Sequence, residues 1–130
     1  MDRSILADKI HKTQTPHHNC AQSVLLAFAD KINVPSEELF KLAAGFGGGM
    51  GQGQATCGAL CGAAMVVGYL HTKEGELSKM AAGRVLEQFK KRVGSITCHE
   101  IKGLDTGTPL CSCDTCVKIA AELAQQELGL

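Results

Sequence analysis

The chain has 130 residues, of which 45% are hydrophobic and 20% charged; this composition is typical of one globular domain and excludes a disordered chain. Lys and Arg total 13, as do Asp and Glu, and this neutral balance argues against a nucleic-acid partner, which requires a basic face. The longest small and apolar run, residues 55–70, is too short and glycine-rich to span a membrane. The length leads us to expect one domain over residues 1–130. Since the first residues contain no apolar signal region, we expect the protein to be located in the cytoplasm.

The first three predicted elements are helices. A short helix over residues 2–11 is followed by a longer one over 20–32, which Asn33 and Pro35 end. Ser36 is the expected N-cap of a third helix, which ends at Gly45. The positions expected to share an inner face are Ile5, Leu6 and Ile10 in the first helix and Val24, Leu25, Phe28 and Ile32 in the second.

A glycine-rich loop over residues 45–53 precedes the most apolar helix, predicted for residues 57–70. That helix is small or apolar on every side, which is typical of a helix buried at the centre of a bundle. Its short side chains, among them Gly58 and Gly62, allow neighbouring backbones to approach closely. The loop is not a phosphate-binding G-x-x-x-x-G-K-[ST] motif; we expect its backbone to pass close to nearby cysteines and to donate N–H groups to sulfur.

After a turn at residues 74–75, a helix over residues 77–93 carries an inner stripe of Leu77, Ala81, Val85, Phe89 and Val93. A short helix over 98–102 and a final helix over 114–128 complete the chain. No alternating strand pattern is present, so the predicted fold is all-α. We expect a compact single-domain bundle of about five to six helices around the buried glycine/alanine-rich central helix.

Four of the seven cysteines stand where helices are predicted to begin. The expected caps are Asn19 with Gln22 for the helix of Cys20, Thr56 for that of Cys57, Thr97 with Glu100 for that of Cys98, and Asp114 for that of Cys116. Unpaired N–H groups at a helix start favour the thiolate, the form of cysteine that attacks disulfides and binds metals. We therefore predict that these four cysteines converge in space.

The remaining cysteines leave alternatives open. Cys61 lies one turn after Cys57, where the effect of the helix start has faded, so we expect Cys57 to be the more acidic thiol. Cys113 and Cys116 form a C-x-x-C pair at a helix start, and Cys111 extends it to C-x-C-x-x-C, a spacing that suits thiol chemistry, zinc or an iron–sulfur cluster. His18, which flanks Cys20, is a further candidate ligand.

The chain resembles the C-GCAxxG-C-C family of redox-active proteins. The matching segments are NCAQSVL at 19–25, GFGGGMG at 45–51, CGALCGA at 57–63, GSITC at 94–98 and a cysteine that opens the last helix. The resemblance implies that Cys20, Cys57, Cys98 and a fourth cysteine are the family's characteristic set. The fourth is taken as Cys116, with Cys111 and Cys113 as alternatives in the same segment. A related domain in split-Soret cytochromes associates four cysteines with an iron–sulfur cluster, which implies such a cluster here by analogy.

Three functions follow as hypotheses. The first is a metal centre held by Cys20, Cys57, Cys98 and Cys116, an iron–sulfur cluster ahead of zinc, that transfers electrons to and from a redox partner protein. The second is a thiol–disulfide oxidoreductase that uses Cys113 and Cys116 or another pair, and the third is a structural zinc-binding module. Further candidate ligands are Cys111, Cys113, Cys61 and His18, and the oligomeric state, including a homodimer, is left open.

Overall fold

The computed structural model describes residues 1–71 and 75–130, with the side chains of residues 75 and 76 excepted. Seven α-helices and no β-strand occur in these residues, which confirms the all-α prediction and comes close to the expected helix count. The helices are α1 (Arg3–His11), α2 (Cys20–Leu26), α3 (Ser36–Ala43), α4 (Gly58–Leu70), α5 (Gly75–Val93), α6 (Cys98–Ile101) and α7 (Cys113–Leu128).

Helix α4 is the central helix, as predicted. Ala59, Ala63, Val66 and Val67 are completely buried, and α4 packs against α2, α5 and α7. A Cβ atom on Gly62 would lie 2.7 Å from the Ala21 carbonyl oxygen of α2. Only glycine therefore permits the two helices to approach this closely.

Helix α2 is shorter than predicted. It ends at Leu26, and a 3-10 turn over Ala29–Lys31 carries the chain to Ile32. The Phe28 N–H already donates to the Leu25 carbonyl oxygen at 3.1 Å, in the tighter 3-10 pattern, and the Lys31 N–H donates to Phe28 in the same way at 2.9 Å. Arg3 of α1 lies beside this turn, where its guanidinium donates to the Ala27 carbonyl oxygen at 3.0 Å and pairs with the Asp30 carboxylate.

Two predicted apolar faces are partly wrong. In α1 the buried residues are Arg3 and Ala7, whereas Ile5 is 63% exposed because it lies on the opposite side of the helix. In α5 the stripe from Ala81 to Val93 is buried as predicted, but Leu77 is 51% exposed, so the buried face begins one turn later. The turn predicted at residues 74–75 lies partly outside the described residues.

Helix α3 also begins and ends differently from the prediction. Pro35 occupies the N-cap position and Ser36 is the first helical residue, without a side-chain capping hydrogen bond. The helix gives way at Ala43 to a 3-10 turn over Ala44–Phe46. The glycine-rich segment then forms an irregular turn over Gly49–Gly53, in which Met50 (φ 60°) and Gly51 (φ 77°) are left-handed.

In the part of the chain that the structure describes, no helix combines the length and apolar character needed to cross a bilayer. The starts of α2, α4, α6 and α7 meet beside the glycine-rich turn, and the residues there line a common pocket.

Candidate functional site

The four cysteines predicted to converge do so in this pocket. Its volume is about 30 Å³, which is space for about one water molecule. A fifth cysteine, Cys113, also faces it. The complete lining is Cys20, Gly48, Cys57, Gly58, Cys98, Ile101, Lys102, Cys113 and Cys116.

Cys57 is positioned by a short pairing between two loops. Its N–H donates to the Ile96 carbonyl oxygen at 2.7 Å, and the N–H of Cys98 donates to the Ala55 carbonyl oxygen at 3.0 Å. These hydrogen bonds place the starts of α4 and α6 side by side. Cys57 itself is the N-cap of α4, and not the first helical residue as predicted. The predicted cap, Thr56, is engaged in the bridge between the loops instead.

Cys20 is positioned by the predicted capping box. The Gln22 N–H donates to the Asn19 side chain and the Asn19 N–H to the Gln22 side chain, both at 2.8 Å. A Cβ atom on Gly58 would lie 2.6 Å from the Cys20 sulfur. Glycine is therefore required at the start of α4 for α2 to bring its cysteine to the pocket.

The glycine-rich turn performs the role that the sequence predicted. A Cβ atom on Gly49 would lie 2.7 Å from the Cys98 Cβ, so the backbone passes directly against that side chain. The Gly48 N–H donates to the Cys20 sulfur. The loop thus closes one wall of the pocket and supplies a hydrogen-bond donor to it.

The start of α7 is one residue earlier than predicted. Ser112 is the N-cap and its hydroxyl accepts the Thr115 N–H at 3.2 Å. Asp114, the predicted cap, bonds to the His11 ring of α1 at 2.6 Å. As a result, Cys113 is the first helical residue and is exposed, whereas Cys116 is only 2% exposed.

Cys57 is the acidic thiol of the site. The Cys116 thiol hydrogen-bonds to it, and this is the main cause that lowers the Cys57 pKa to about 7, against the opposing effect of burial. The N–H groups of Ala59 and Leu60 at the start of α4, and then the charge of Lys102, lower the pKa further. The predicted contribution of the helix start is therefore present, although it is second to the neighbouring thiol.

The neighbouring thiols are less acidic. Hydrogen bonding to Cys57 and burial raise the pKa of Cys116, because its proton is held between the two sulfurs. Burial and the nearby Cys57 charge raise the Cys20 pKa to about 11 and also raise the Cys61 pKa. The predicted order, with Cys57 more acidic than Cys61, thus agrees with the structure.

Of the further candidate ligands, Cys113 lines the pocket, whereas Cys61, Cys111 and His18 lie outside its lining. Cys61 donates to the Thr56 carbonyl oxygen at 3.8 Å, and Cys111 packs against the hydrophobic core. The His18 ring packs edge-on against Phe40 with 5.2 Å between centroids. Lys102 lines the pocket but was not predicted from the sequence. Its position four residues after Cys98, about one helical turn, is a signal that could have indicated it.

The donor chemistry of the pocket fits a thiolate-bound metal group, since it combines several cysteines with N–H donors to sulfur. The arrangement is not that of a site for a single metal ion. Among residues 1–71 and 75–130, no group of three or more His, Cys, Asp or Glu side chains is placed to hold one.

No curated protein and no solved structure matches the chain. The family model described as Putative redox-active protein (C_GCAxxG_C_C) matches residues 18–127, a span that contains all seven cysteines and the four helix starts around the pocket. Because the match covers most of the sequence, the chain belongs to the C_GCAxxG_C_C family of redox-active proteins.

Proposed function

We propose that the protein is a thiol–disulfide redox protein whose reactive pair is Cys57 and Cys116. The observation that carries this proposal is that Cys57 and Cys116 are both buried and line the same small pocket, where the Cys116 thiol lowers the pKa of Cys57. A thiolate next to a thiol is the reduced form of a pair that cycles between dithiol and disulfide. This pair replaces Cys113 and Cys116 as the preferred candidate, because Cys57 contacts Cys116 directly.

Oxidation of the pair by a disulfide of a small molecule proceeds in two exchanges. The Cys57 thiolate attacks one sulfur, forms a mixed disulfide and releases the other sulfur as a thiolate, which takes the Cys116 proton. The Cys116 thiolate then attacks the Cys57 sulfur and releases the second thiolate. The substrate disulfide gains two electrons, and the protein dithiol loses them in forming the Cys57–Cys116 disulfide.

Disulfide mapping by mass spectrometry tests the pair. The reduced full-length protein is oxidised with a small disulfide, quenched with acid and alkylated. We expect the Cys57–Cys116 disulfide in the parent and its loss in Cys57→Ser and in Cys116→Ser. Cys61→Ser, which changes a cysteine one turn away on the same helix, is the matched control and should leave the disulfide intact. Equal oxidation of Cys57→Ser and the parent would contradict the proposal.

An iron–sulfur cluster for electron transfer is the second candidate. The observation that favours it is the presence of Cys20 and Cys98 on the same pocket, because a dithiol pair does not require them. Cys20, Cys57, Cys98 and Cys116 would hold the cluster, which would supply one-electron redox chemistry when bound. The Gly48 N–H to Cys20 and the Ala59 and Leu60 N–H groups to Cys57 would then tune its potential.

Anaerobic purification separates the two candidates. An iron–sulfur protein would be coloured and contain iron and inorganic sulfide, and Cys57→Ser would lose both while Cys61→Ser kept them. A colourless, iron-free protein that forms the Cys57–Cys116 disulfide would support the thiol mechanism. A structural zinc module, the third prediction, would be colourless with stoichiometric zinc.

A further inference from the structure

The cysteine pocket has a single cationic residue. Of the described residues that line it, Lys102 is the only one with an ionisable side chain other than a thiol. Lys102 is exposed, whereas Ile101 beside it in the lining is buried. A lysine that lines a pocket and is also exposed lays its apolar stem along the wall and keeps its ammonium group in water. The positive charge therefore lies at the rim of the pocket.

Backbone contacts hold Lys102 at this position. It is the C-cap of α6, and its N–H donates to the Cys98 carbonyl oxygen at 2.9 Å. Gly103 follows with a φ of 67°, in the left-handed region, and a Cβ atom on it would lie 2.4 Å from the Thr108 carbonyl oxygen. The turn that ends α6 thus accepts only glycine at this position. Lys102 is fixed between this turn and Cys98.

The Lys102 ammonium lacks a carboxylate partner among the side chains that the structure describes, since every ion pair there involves other residues. Of the acids closest in sequence to the lining, Asp105 pairs with the His99 ring at 2.8 Å and Asp114 is bonded to a histidine of α1. Glu100 lies two residues before Lys102, a spacing at which side chains on a helical turn do not face each other. The rim therefore offers an unneutralised cation to an approaching molecule.

The size of the pocket limits what can reach the proposed reactive pair. Cys57 is 7% exposed and Cys116 only 2%. The volume of about 30 Å³ holds about one water molecule, which is also about the space of one sulfur atom. A substrate can therefore bring only its reacting sulfur into the pocket. The rest of the substrate must lie at the rim, beside the Lys102 ammonium.

We propose that Lys102 selects the substrate of this centre, and that the pocket takes low-molecular-weight disulfides that carry a carboxylate close to the sulfur. This inference rests on the proposed Cys57–Cys116 pair and adds the class of substrate. The Lys102 ammonium pairs with the carboxylate while the substrate sulfur enters the pocket. Neutral disulfides lack this contact, and cationic disulfides are repelled by Lys102.

The two exchanges keep the substrate carboxylate at the rim until the last step. The Cys57 thiolate bonds to the near sulfur of the substrate, the S–S bond of the substrate breaks, and the far half leaves as a thiolate that takes the Cys116 proton. The retained half keeps its carboxylate beside Lys102. The Cys116 thiolate then attacks the Cys57 sulfur and releases that half as a second thiolate. The substrate disulfide gains two electrons, which the protein dithiol loses.

Three small disulfides that differ in their terminal group test this selectivity. Dithiodipropionate is anionic, hydroxyethyl disulfide is neutral and cystamine is cationic, and all three have the same two-carbon spacer between the sulfur and the terminal group. The reduced full-length protein is oxidised anaerobically at neutral pH with each disulfide. The rate of appearance of the Cys57–Cys116 disulfide is measured by mass spectrometry after an acid quench.

The quantity to compare between variants is the rate with the anionic disulfide divided by the rate with the cationic one. Lys102 also lowers the pKa of Cys57, but a change in the acidity of Cys57 alters both rates alike and cancels in this ratio. The different intrinsic reactivities of the disulfides cancel when the ratios of two variants are compared. The ratio therefore reports the contact of Lys102 with the substrate.

Lys102→Gln removes the charge and should lower this ratio by about fivefold, the effect expected of charge pairs at an exposed rim. Lys102→Glu should lower it further, Lys102→Arg should preserve it, and added salt should lower the ratio of the parent. Lys118→Gln is the matched control. Lys118 is an exposed lysine of α7, two residues after Cys116, that does not line the pocket, so this variant should retain the parental ratio.

The outcomes separate the selectivity from the reactive pair. An unchanged ratio in Lys102→Gln, with the Cys57–Cys116 disulfide still formed, would overturn the role of Lys102 and leave the pair standing. An equal fall of the ratio in Lys118→Gln would also overturn it, because the overall charge of the protein would then be the cause. If no probe produced the Cys57–Cys116 disulfide in any variant, the pair would fail and the selectivity with it. Thermal unfolding verifies that each variant folds.

Discussion

The acidity of Cys57 depends most strongly on one neighbour, and removing that neighbour gives a quantitative test. Cys116→Ala deletes the thiol whose hydrogen bond is the main cause that lowers the Cys57 pKa from 9.0 to about 7. Burial, which opposes this shift, remains. The Cys57 pKa should therefore rise toward its ordinary value of 9.0, while the N–H groups at the start of α4 and Lys102 still lower it; a full return would be a change of about 3 kcal/mol in the free energy of ionisation.

In Cys116→Ala, the rate at which Cys57 reacts with a small disulfide should fall by a smaller factor than the fraction of Cys57 that is ionised. For a full return of the pKa to 9.0, the thiolate fraction at neutral pH would fall from about one half to about 1%, but the less acidic thiolate is intrinsically about 6- to 10-fold more nucleophilic. The net reactivity of Cys57 toward a small disulfide should thus fall by about 5- to 10-fold. At a pH above the new pKa the variant should react faster than the parent.

The ionisation midpoint of Cys57 is measured by following the ultraviolet absorbance of thiolates as a function of pH. The titration curve of the Cys57→Ser protein is subtracted, so that the difference reports Cys57 alone. Cys61→Ala, which alters a thiol outside the pocket, is the control and should leave the Cys57 midpoint near 7. A midpoint near 7 in Cys116→Ala would refute the reasoning. It would assign the acidity to the N–H groups at the start of α4 and to Lys102.

The other expected effects concern the walls of the pocket. Lys102→Gln should raise the Cys57 midpoint by less than Cys116→Ala does, since its charge is a weaker cause, and added salt should shrink the difference between parent and variant. Gly58→Ala places a Cβ 2.6 Å from the Cys20 sulfur and should lower the free energy of unfolding by about 1–3 kcal/mol, measured by thermal denaturation. Gly83→Ala adds a Cβ in open space on α5; it is the control and should not lower the free energy of unfolding. Ser112→Ala removes the α7 cap and should cost about 1 kcal/mol in chemical denaturation. An unchanged unfolding midpoint for either Gly58→Ala or Ser112→Ala would contradict the geometry at that position.

Local sequence patterns were sufficient to predict most of the helices and their buried faces. The all-α class, the central helix and the stripe from Ala81 to Val93 follow from apolar periodicity, which reflects the 3.6-residue repeat of a helix. The capping box of Asn19 and Gln22 is confirmed, whereas the box predicted for Thr97 and Glu100 is wrong, because Thr97 is the N-cap of α6 but its side chain makes no capping hydrogen bond. The convergence of the four cysteines was also predictable, since all four stand at helix starts.

The errors arise where a distant side chain competes with a local pattern. The sequence around residue 27 predicts a continuous helix, but the chain changes there to a 3-10 turn that binds the Arg3 guanidinium of α1 through the Ala27 carbonyl oxygen. Asp114 is a good helix cap by its chemistry, yet its carboxylate is bonded to His11 of another helix. In both cases the decisive partner is far away in the chain, so no window of local sequence contains it.

The proposed pairing of Cys57 with Cys116 depends on tertiary structure. Sequence patterns set Cys20, Cys57, Cys98 and Cys116 apart as cysteines at helix starts, but the one cysteine pair that they indicate is the C-x-x-C of Cys113 and Cys116. Packing of α4 against α7 instead places Cys116 and Cys57 as buried residues of one pocket, whereas Cys113 lies at the pocket but is exposed. Because a thiol's acidity depends on the charges, donors and burial within a few ångströms of its sulfur, only the assembled helices determine which cysteine is the most acidic.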